Sequence, residues 1–175
     1  MRKIKNAELG RKTVDEFKSA EKLPVVVVLD NVRSLHNIGS IFRSADAFLV
    51  KAIYLCGISA TPPHREIEKT ALGATESVTW KYFKTPAEAI DELKADGYSV
   101  FAIEQAEGGV EMHKFLIEEK KYALVFGHEI NGVGNDVMEK ADGAIEIPQS
   151  GTKHSLNIAV CAGLVLWEFF KKFRN

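Results

Sequence analysis

The sequence predicts an α/β fold, a mostly parallel sheet flanked by helices. Three observations lead there. Val25-Val26-Val27-Val28-Leu29 is an uninterrupted apolar run, as expected of a strand buried on both faces. Further apolar runs of strand length alternate with segments of helical spacing, which implies βαβ crossovers. Ser155 to Phe173 then reads as a long, mostly buried closing helix.

The elements follow in order. Leu23-Pro24 is a joint, because proline ends the helical pattern before it. After the Val25–Leu29 strand, Ile38, Ile41, Phe42, Ala45 and Phe48 recur at helical spacing. Ala52 to Leu55 reads as a strand, Arg65 to Leu72 as a short helix and Val78 to Phe83 as a strand. Pro86 to Asp96 is a helix with proline near its start and Gly97 just past its end. Tyr98 to Ile103, Tyr122 to Phe126 and Ala144 to Ile147 read as further strands. The expected organisation is a basic N-terminal arm over residues 1–22 and one α/β domain over 23–175.

Composition excludes several classes. With 46% hydrophobic and 27% charged residues the chain is neither disordered nor coiled coil. Two cysteines, Cys56 and Cys161, cannot make a disulfide framework or a cysteine zinc cluster, and both sit in apolar runs where a thiol acts as a small hydrophobe. The apolar stretch Ile158 to Trp167 is too short to span a bilayer, and the charged start MRKIKNAELGRK lacks a signal-peptide core. The expectation is a cytoplasmic protein with no membrane partner. Net charge is −1, yet residues 1–22 carry seven Lys/Arg against four Asp/Glu, a weak pointer to a polyanion. There is no GxxxxGK[ST], no GxGxxG after a strand, no GxSxG and no HxxxH, so no metal is expected.

In parallel sheets ligands bind at the carboxyl ends of the strands. Three loops there stand out. In the first, Asn37 is a candidate N-cap and Gly39 allows close backbone approach. Arg43 lies one turn further, with Asp46 placed to orient its guanidinium; the alternatives are anion binding and a plain surface salt bridge. In the second, Gly127-His128-Glu129, the glycine admits a flat ligand, and the carboxylate accepts bonds from a helix N-terminus or Arg43; the plain alternative is a tight turn. In the third, Ile147-Pro148 leads through Gly151 into the last helix, with Ser155 as N-cap and Asn157 inside an apolar helix, where its amide needs a partner. Lys153 and His154 beside that helix start are consistent with phosphate binding.

Together these segments resemble the SpoU (TrmH) family of RNA ribose 2′-O-methyltransferases. The resemblance rests on Asn37, Gly39 and Arg43; on Gly127, Glu129 and Gly132; and on Ile147, Pro148, Gly151, Ser155, Leu156 and Asn157, and it covers residues 24 to 173. Gln149 and His128 depart from the usual pattern. The resemblance implies a C-terminal deep trefoil knot of the SPOUT type. It implies S-adenosyl-L-methionine held by the knot loops, against Ile103, Gly127, Ile147 and Leu156. It implies Arg43 as the group that activates the ribose hydroxyl, with Asn37 and Glu129 orienting it and Ser155 and Asn157 holding the nucleotide and the loops. It also implies an RNA substrate and a homodimer with the site at the interface; the short chain and the basic arm favour tRNA slightly over rRNA. The competing readings are a non-catalytic RNA-binding relative, which would bind no S-adenosylmethionine, and an α/β enzyme acting on a phosphorylated metabolite.

Overall fold

A computed structural model describes residues 1–174; Asn175, the last residue of the expected 23–175 domain, lies outside the described residues. The strands are β1 (Leu23–Asp30), β2 (Val50–Cys56), β3 (Trp80–Phe83), β4 (Ser99–Ile103), β5 (Val110–Glu111), β6 (Tyr122–Phe126) and β7 (Gly143–Glu146). They form one sheet in the order β3-β2-β1-β6-β4-β7-β5, and every ladder is parallel. The helices are α1 (Val14–Ser19), α2 (Leu35–Ala47), α3 (Arg65–Ala71), α4 (Ala74–Ser77), α5 (Pro86–Ala95), α6 (Asn135–Lys140) and α7 (Ile158–Arg174).

The valine run shows why both sheet faces are covered. Val25, Val27 and Leu29 pack with Ile38, Ile41 and Phe42 of α2 and with Val165, Leu166 and Phe169 of α7. Val26 and Val28 point the other way, against Ile90 and Leu93 of α5 and Val137 of α6. Successive strand residues alternate faces, so one apolar run serves two cores. Each such side chain, fully buried, stabilises the fold by about 1.5–3 kcal/mol.

Local chemistry sets several boundaries differently from expectation. α2 begins at Leu35, capped by Ser34, whose hydroxyl accepts from Asn37 N–H at 3.2 Å; Asn37 is therefore in the first turn and is not the cap. α7 begins at Ile158, because Asn157 is its cap: Asn157 Oδ1 accepts from Ala159 N–H at 2.9 Å and Val160 N–H at 3.3 Å. Ser155 is exposed in the preceding loop and does not cap, and Ile147 falls just past β7. β5 and α6 were unforeseen, being two and six residues long with little periodicity to read. Pro86 at the start of α5 and left-handed Gly97 beyond its end stand as expected.

Within the N-terminal segment, α1 docks on the domain through one side chain. Thr13 and Glu16 form a reciprocal capping box on α1, and Phe17 is buried in the α2/α7 core.

Gly39 permits a close approach of α2 and α3. A Cβ there would lie 2.2 Å from both the Ile67 carbonyl oxygen and Thr70 Oγ1 of α3. A backbone carbonyl cannot rotate away, so α3 would have to move. Gly39→Ala is expected to cost about 2–3 kcal/mol of stability, read from the urea midpoint at unchanged slope.

Candidate active site

The carboxyl ends of β1, β6, β4 and β7, adjacent in the sheet, carry the loops singled out in the sequence. Glu129, after β6, reaches back to the start of α2. Its carboxylate accepts from Ser34 N–H at 2.9 Å, from Arg33 N–H at 3.1 Å and from the Asn37 side-chain amide at 3.4 Å. This satisfies donors that a helix start leaves unpaired, and it places negative charge at the positive end of the dipole. Partial burial pushes the Glu129 carboxyl up, but those hydrogen bonds outweigh it and hold the group below the ordinary glutamate value.

The third loop joins the same network. Asn157 Nδ2 donates to Asn37 Oδ1 at 3.1 Å. Asn37 thus gives its amide protons to Glu129 and its carbonyl to Asn157, linking loops 120 and 92 residues apart in sequence. The partner required for the Asn157 amide is supplied, from a capping position rather than inside the helix.

Arg43 is not in this network. Six residues beyond Asn37, it lies roughly 9 Å further along α2 and on another face. Its guanidinium is exposed and has no ion pair or side-chain hydrogen bond among the described residues. Glu129 does not bond it, and Asp46 does not orient it; Asp46 accepts instead from the Ser77 hydroxyl. Arg43 borders two grooves. One runs between α2 and α3 past Ser40, Ser44, Lys69 and Thr70, and the other passes Arg11, Lys12 and Arg174.

Ile103, Gly127 and Ile147 close three neighbouring strands, with Ile103 paired to Ile145 in register. Ile103 is buried, Ile147 is half-buried against the core and Leu156 is partly exposed. The reason for glycine at 127 is the loop itself: a Cβ there would lie 2.1 Å from the Gly132 carbonyl carbon. His128 and Gly132 exchange backbone hydrogen bonds at 2.9 Å, and Gly132 takes φ 68°.

Sequence reasoning missed three supports. Asp30, nearly fully buried, accepts from Gly134 N–H at 2.8 Å and from the Asn31 amide at 2.7 Å. Asn31, in the left-handed region at φ 55°, accepts from Ile58 N–H at 3.1 Å. Glu104 accepts from Val133 N–H at 2.9 Å. The available signal was a polar residue at or just past the end of each buried strand. The two cysteines are inert by comparison, since burial pushes the Cys56 thiol up to about 12 and the Cys161 thiol up to about 11. Among the described residues no group of three or more His, Cys, Asp or Glu is arranged to hold a metal, and no helix is long and apolar enough to cross a membrane.

Fold and site define an α/β protein in which the three motif loops converge at the carboxyl edge of a parallel sheet. The profile of the SpoU rRNA Methylase family matches residues 24–167, and the chain belongs to that family. It is 34% identical over 159 residues to a Staphylococcus haemolyticus protein named for the TrmH family of tRNA/rRNA methyltransferases, covering 91% of this chain and 63% of that one. The chain thus spans less than two thirds of such relatives. Among solved structures, an AdoMet-bound rRNA methyltransferase from Sinorhizobium meliloti matches with a TM-score of 0.80 at 28% identity, over 87% of this chain and 60% of that one. The A. aeolicus TrmH/SpoU tRNA modifying enzyme matches with a TM-score of 0.82 at 27% identity, over 92% and 81% of the two chains.

Proposed function

We propose that this chain transfers a methyl group from S-adenosyl-L-methionine to a ribose 2′-hydroxyl of structured RNA, tRNA in preference to rRNA. The observation that carries the reading is the hydrogen-bonded chain Asn157–Asn37–Glu129, which draws the family's three motif segments to one place. Family membership and the AdoMet-bound S. meliloti neighbour support the cofactor. The sheet order supports a C-terminal trefoil knot: β7 enters between β4 and β5, both already laid down.

The residues present fit the cofactor. Ile103, Gly127 and Ile147 lie at or just past the ends of adjacent strands, and exposed Leu156 and Ile130 add apolar surface from the loops. When bound, S-adenosylmethionine supplies an electrophilic methyl on a good leaving group. The chain's own work is to position and to stabilise charge. Arg43 stabilises, through its charge and N–H donors, the negative charge that develops on the ribose oxygen as its proton passes to solvent water. Asn37, Glu129 and Asn157 fix the loops that present the cofactor, and Ser155, exposed in the last loop, faces the nucleotide.

Arg43 and the motif loops sit apart in one copy, and a homodimer resolves this. Val160, Leu164 and Trp167 form an exposed apolar stripe on α7, which packs against α2, the helix carrying Arg43. Burying that stripe against a second copy brings one protomer's Arg43 toward its partner's loops. The basic arm belongs to the same surface, since Arg11 and Lys12 border the Arg43 groove; with Arg2, Lys3 and Lys5 they contact the RNA backbone. A cytoplasmic location follows from such a substrate.

The test is methyl transfer from labelled S-adenosylmethionine to purified tRNA and rRNA, followed by alkaline hydrolysis. A 2′-O-methyl blocks cleavage at its own phosphate, so label is expected in alkali-stable dinucleotides from tRNA. Label in the bases, or none in either RNA, would sink the proposal.

A further inference from the structure

We infer that Glu104 is the carboxylate that faces the cofactor's sulfonium charge, and that it makes the site prefer the methyl donor to its neutral thioether product. The inference rests on the cofactor reading above and concerns a residue outside the three motifs. Glu104 directly follows Ile103 at the end of β4, and its N–H donates to the Ile145 carbonyl at 3.1 Å. Oε2 accepts from Val133 N–H at 2.9 Å, and Oε1 accepts from Gln105 N–H at 2.9 Å. The packing is close: a Cβ on Gly132 would lie 2.2 Å from Oε2. Gln105 Nε2 in turn donates to the His154 carbonyl at 3.3 Å. The carboxylate therefore sits where β4, the glycine loop and the last loop meet.

Its charge is uncompensated. Glu104 takes part in none of the ion pairs among the described residues, although Lys and Arg neutralise many other carboxylates of this chain. Two neutral N–H donors leave about half of its lone-pair capacity free. Glu129, the other loop carboxylate, differs: it is engaged by three donors at a helix start, in keeping with its capping role. A half-buried anion beside an apolar, backbone-lined site attracts a cation more strongly than it would in bulk water. The sulfonium is positive only before transfer. A carboxylate facing it holds the donor and loosens its grip once the methyl has left.

The alternative is a loop clamp with no electrostatic role, and the experiment separates the two. Glu104→Gln keeps an oxygen acceptor for one backbone N–H and removes the charge. Titration calorimetry should show S-adenosylmethionine weakened about tenfold, equivalent to about 1.4 kcal/mol, with S-adenosylhomocysteine changed less than about threefold. Glu104→Asp should retain more of the donor preference than Glu104→Gln. A donor-to-product ratio unchanged in Glu104→Gln, whether both affinities fall or neither does, overturns the inference. A ligand-side measurement needs no variant: sinefungin, with an ammonium in place of the sulfonium methyl, should bind the unaltered protein more tightly than S-adenosylhomocysteine, and equal binding also overturns it. If the unaltered protein binds none of the three, the cofactor reading has failed instead.

Discussion

Arg43→Ala is expected to lower methyl transfer by about 10²–10³-fold or more, the range seen when a single oxyanion donor is removed. S-adenosylmethionine affinity should change by less than about threefold, and the melting temperature should hardly move. The separation of these effects follows from the structure. Arg43 is exposed and bonds no other side chain among the described residues, so its loss removes no native contact, and surface changes of that kind usually fall within about ±0.5 kcal/mol. A cation held in a groove without an internal partner is free to meet an external anion. Deprotonating a guanidinium is costly at any working pH, so it serves better as a fixed charge and donor than as a base. Arg43→Lys should therefore recover part of the rate, because it keeps the charge but not the planar fork. The measurement is kcat with RNA saturating, alongside calorimetry for the cofactor. Near-normal turnover of the alanine variant would take Arg43 out of the chemistry.

The strands were legible because a parallel sheet writes itself as unbroken apolar runs. Val25–Leu29 and Tyr122–Phe126 are read directly, and the structure buries every residue of both. What failed was local capping. Asn37 and Asn157 were visible as polar residues in odd places; the caps themselves are local, but neighbouring Asn37 and Ser155 have the same capping chemistry as Ser34 and Asn157, and only the pairing of Asn37 with residues 92 and 120 positions away shows its other role. Ser34 caps α2 with help from Glu129, and no window around residue 34 contains Glu129. At Gly127 a Cβ would lie 2.1 Å from the Gly132 carbonyl carbon, a crowding set by the far end of its own loop that a local reading does not show. Asp30, Asn31 and Glu104 escaped notice for a related reason. Each is an ordinary polar residue at or just past a strand end, and becomes informative only when another loop's N–H is found pointing at it. Site residues of this kind are defined by pairing across the sheet's edge, which sequence order conceals.

Leu164→Glu is expected to turn a homodimer into monomers and to reduce methyl transfer by about 10²-fold or more. Val160, Leu164 and Trp167 sit three and four residues apart, one face of α7, and are 55%, 47% and 45% exposed. The opposite face of the same helix, Ala162, Val165, Leu166 and Phe169, is completely buried. A helix whose stretch Ile158–Trp167 is apolar all round, with one side uncovered, is under-buried in a single copy. An isologous contact doubles every substitution, so two unpaired carboxylates would enter the interface at a cost of several kcal/mol, enough to raise the dimer dissociation constant at least about 10²-fold. Sedimentation equilibrium reads the assembly state directly; a Leu164→Glu protein that stays dimeric, or an unaltered protein that is monomeric at assay concentration, would place the contact elsewhere. Loss of activity with the dimer does not yet show a shared site, and co-expression does. If each site combines Arg43 of one copy with the Asn37–Glu129–Asn157 loops of the other, an Arg43→Ala/Asn157→Ala heterodimer has one site with both defects and one site with none. Random pairing makes half the dimers mixed, so about a quarter of the original activity should return from two variants that are each inactive. If each copy instead uses its own Arg43, every site in the mixture carries one defect and nothing returns. The same mixture therefore decides whether the distance between Arg43 and the network within one copy is bridged by its partner or by movement of α2.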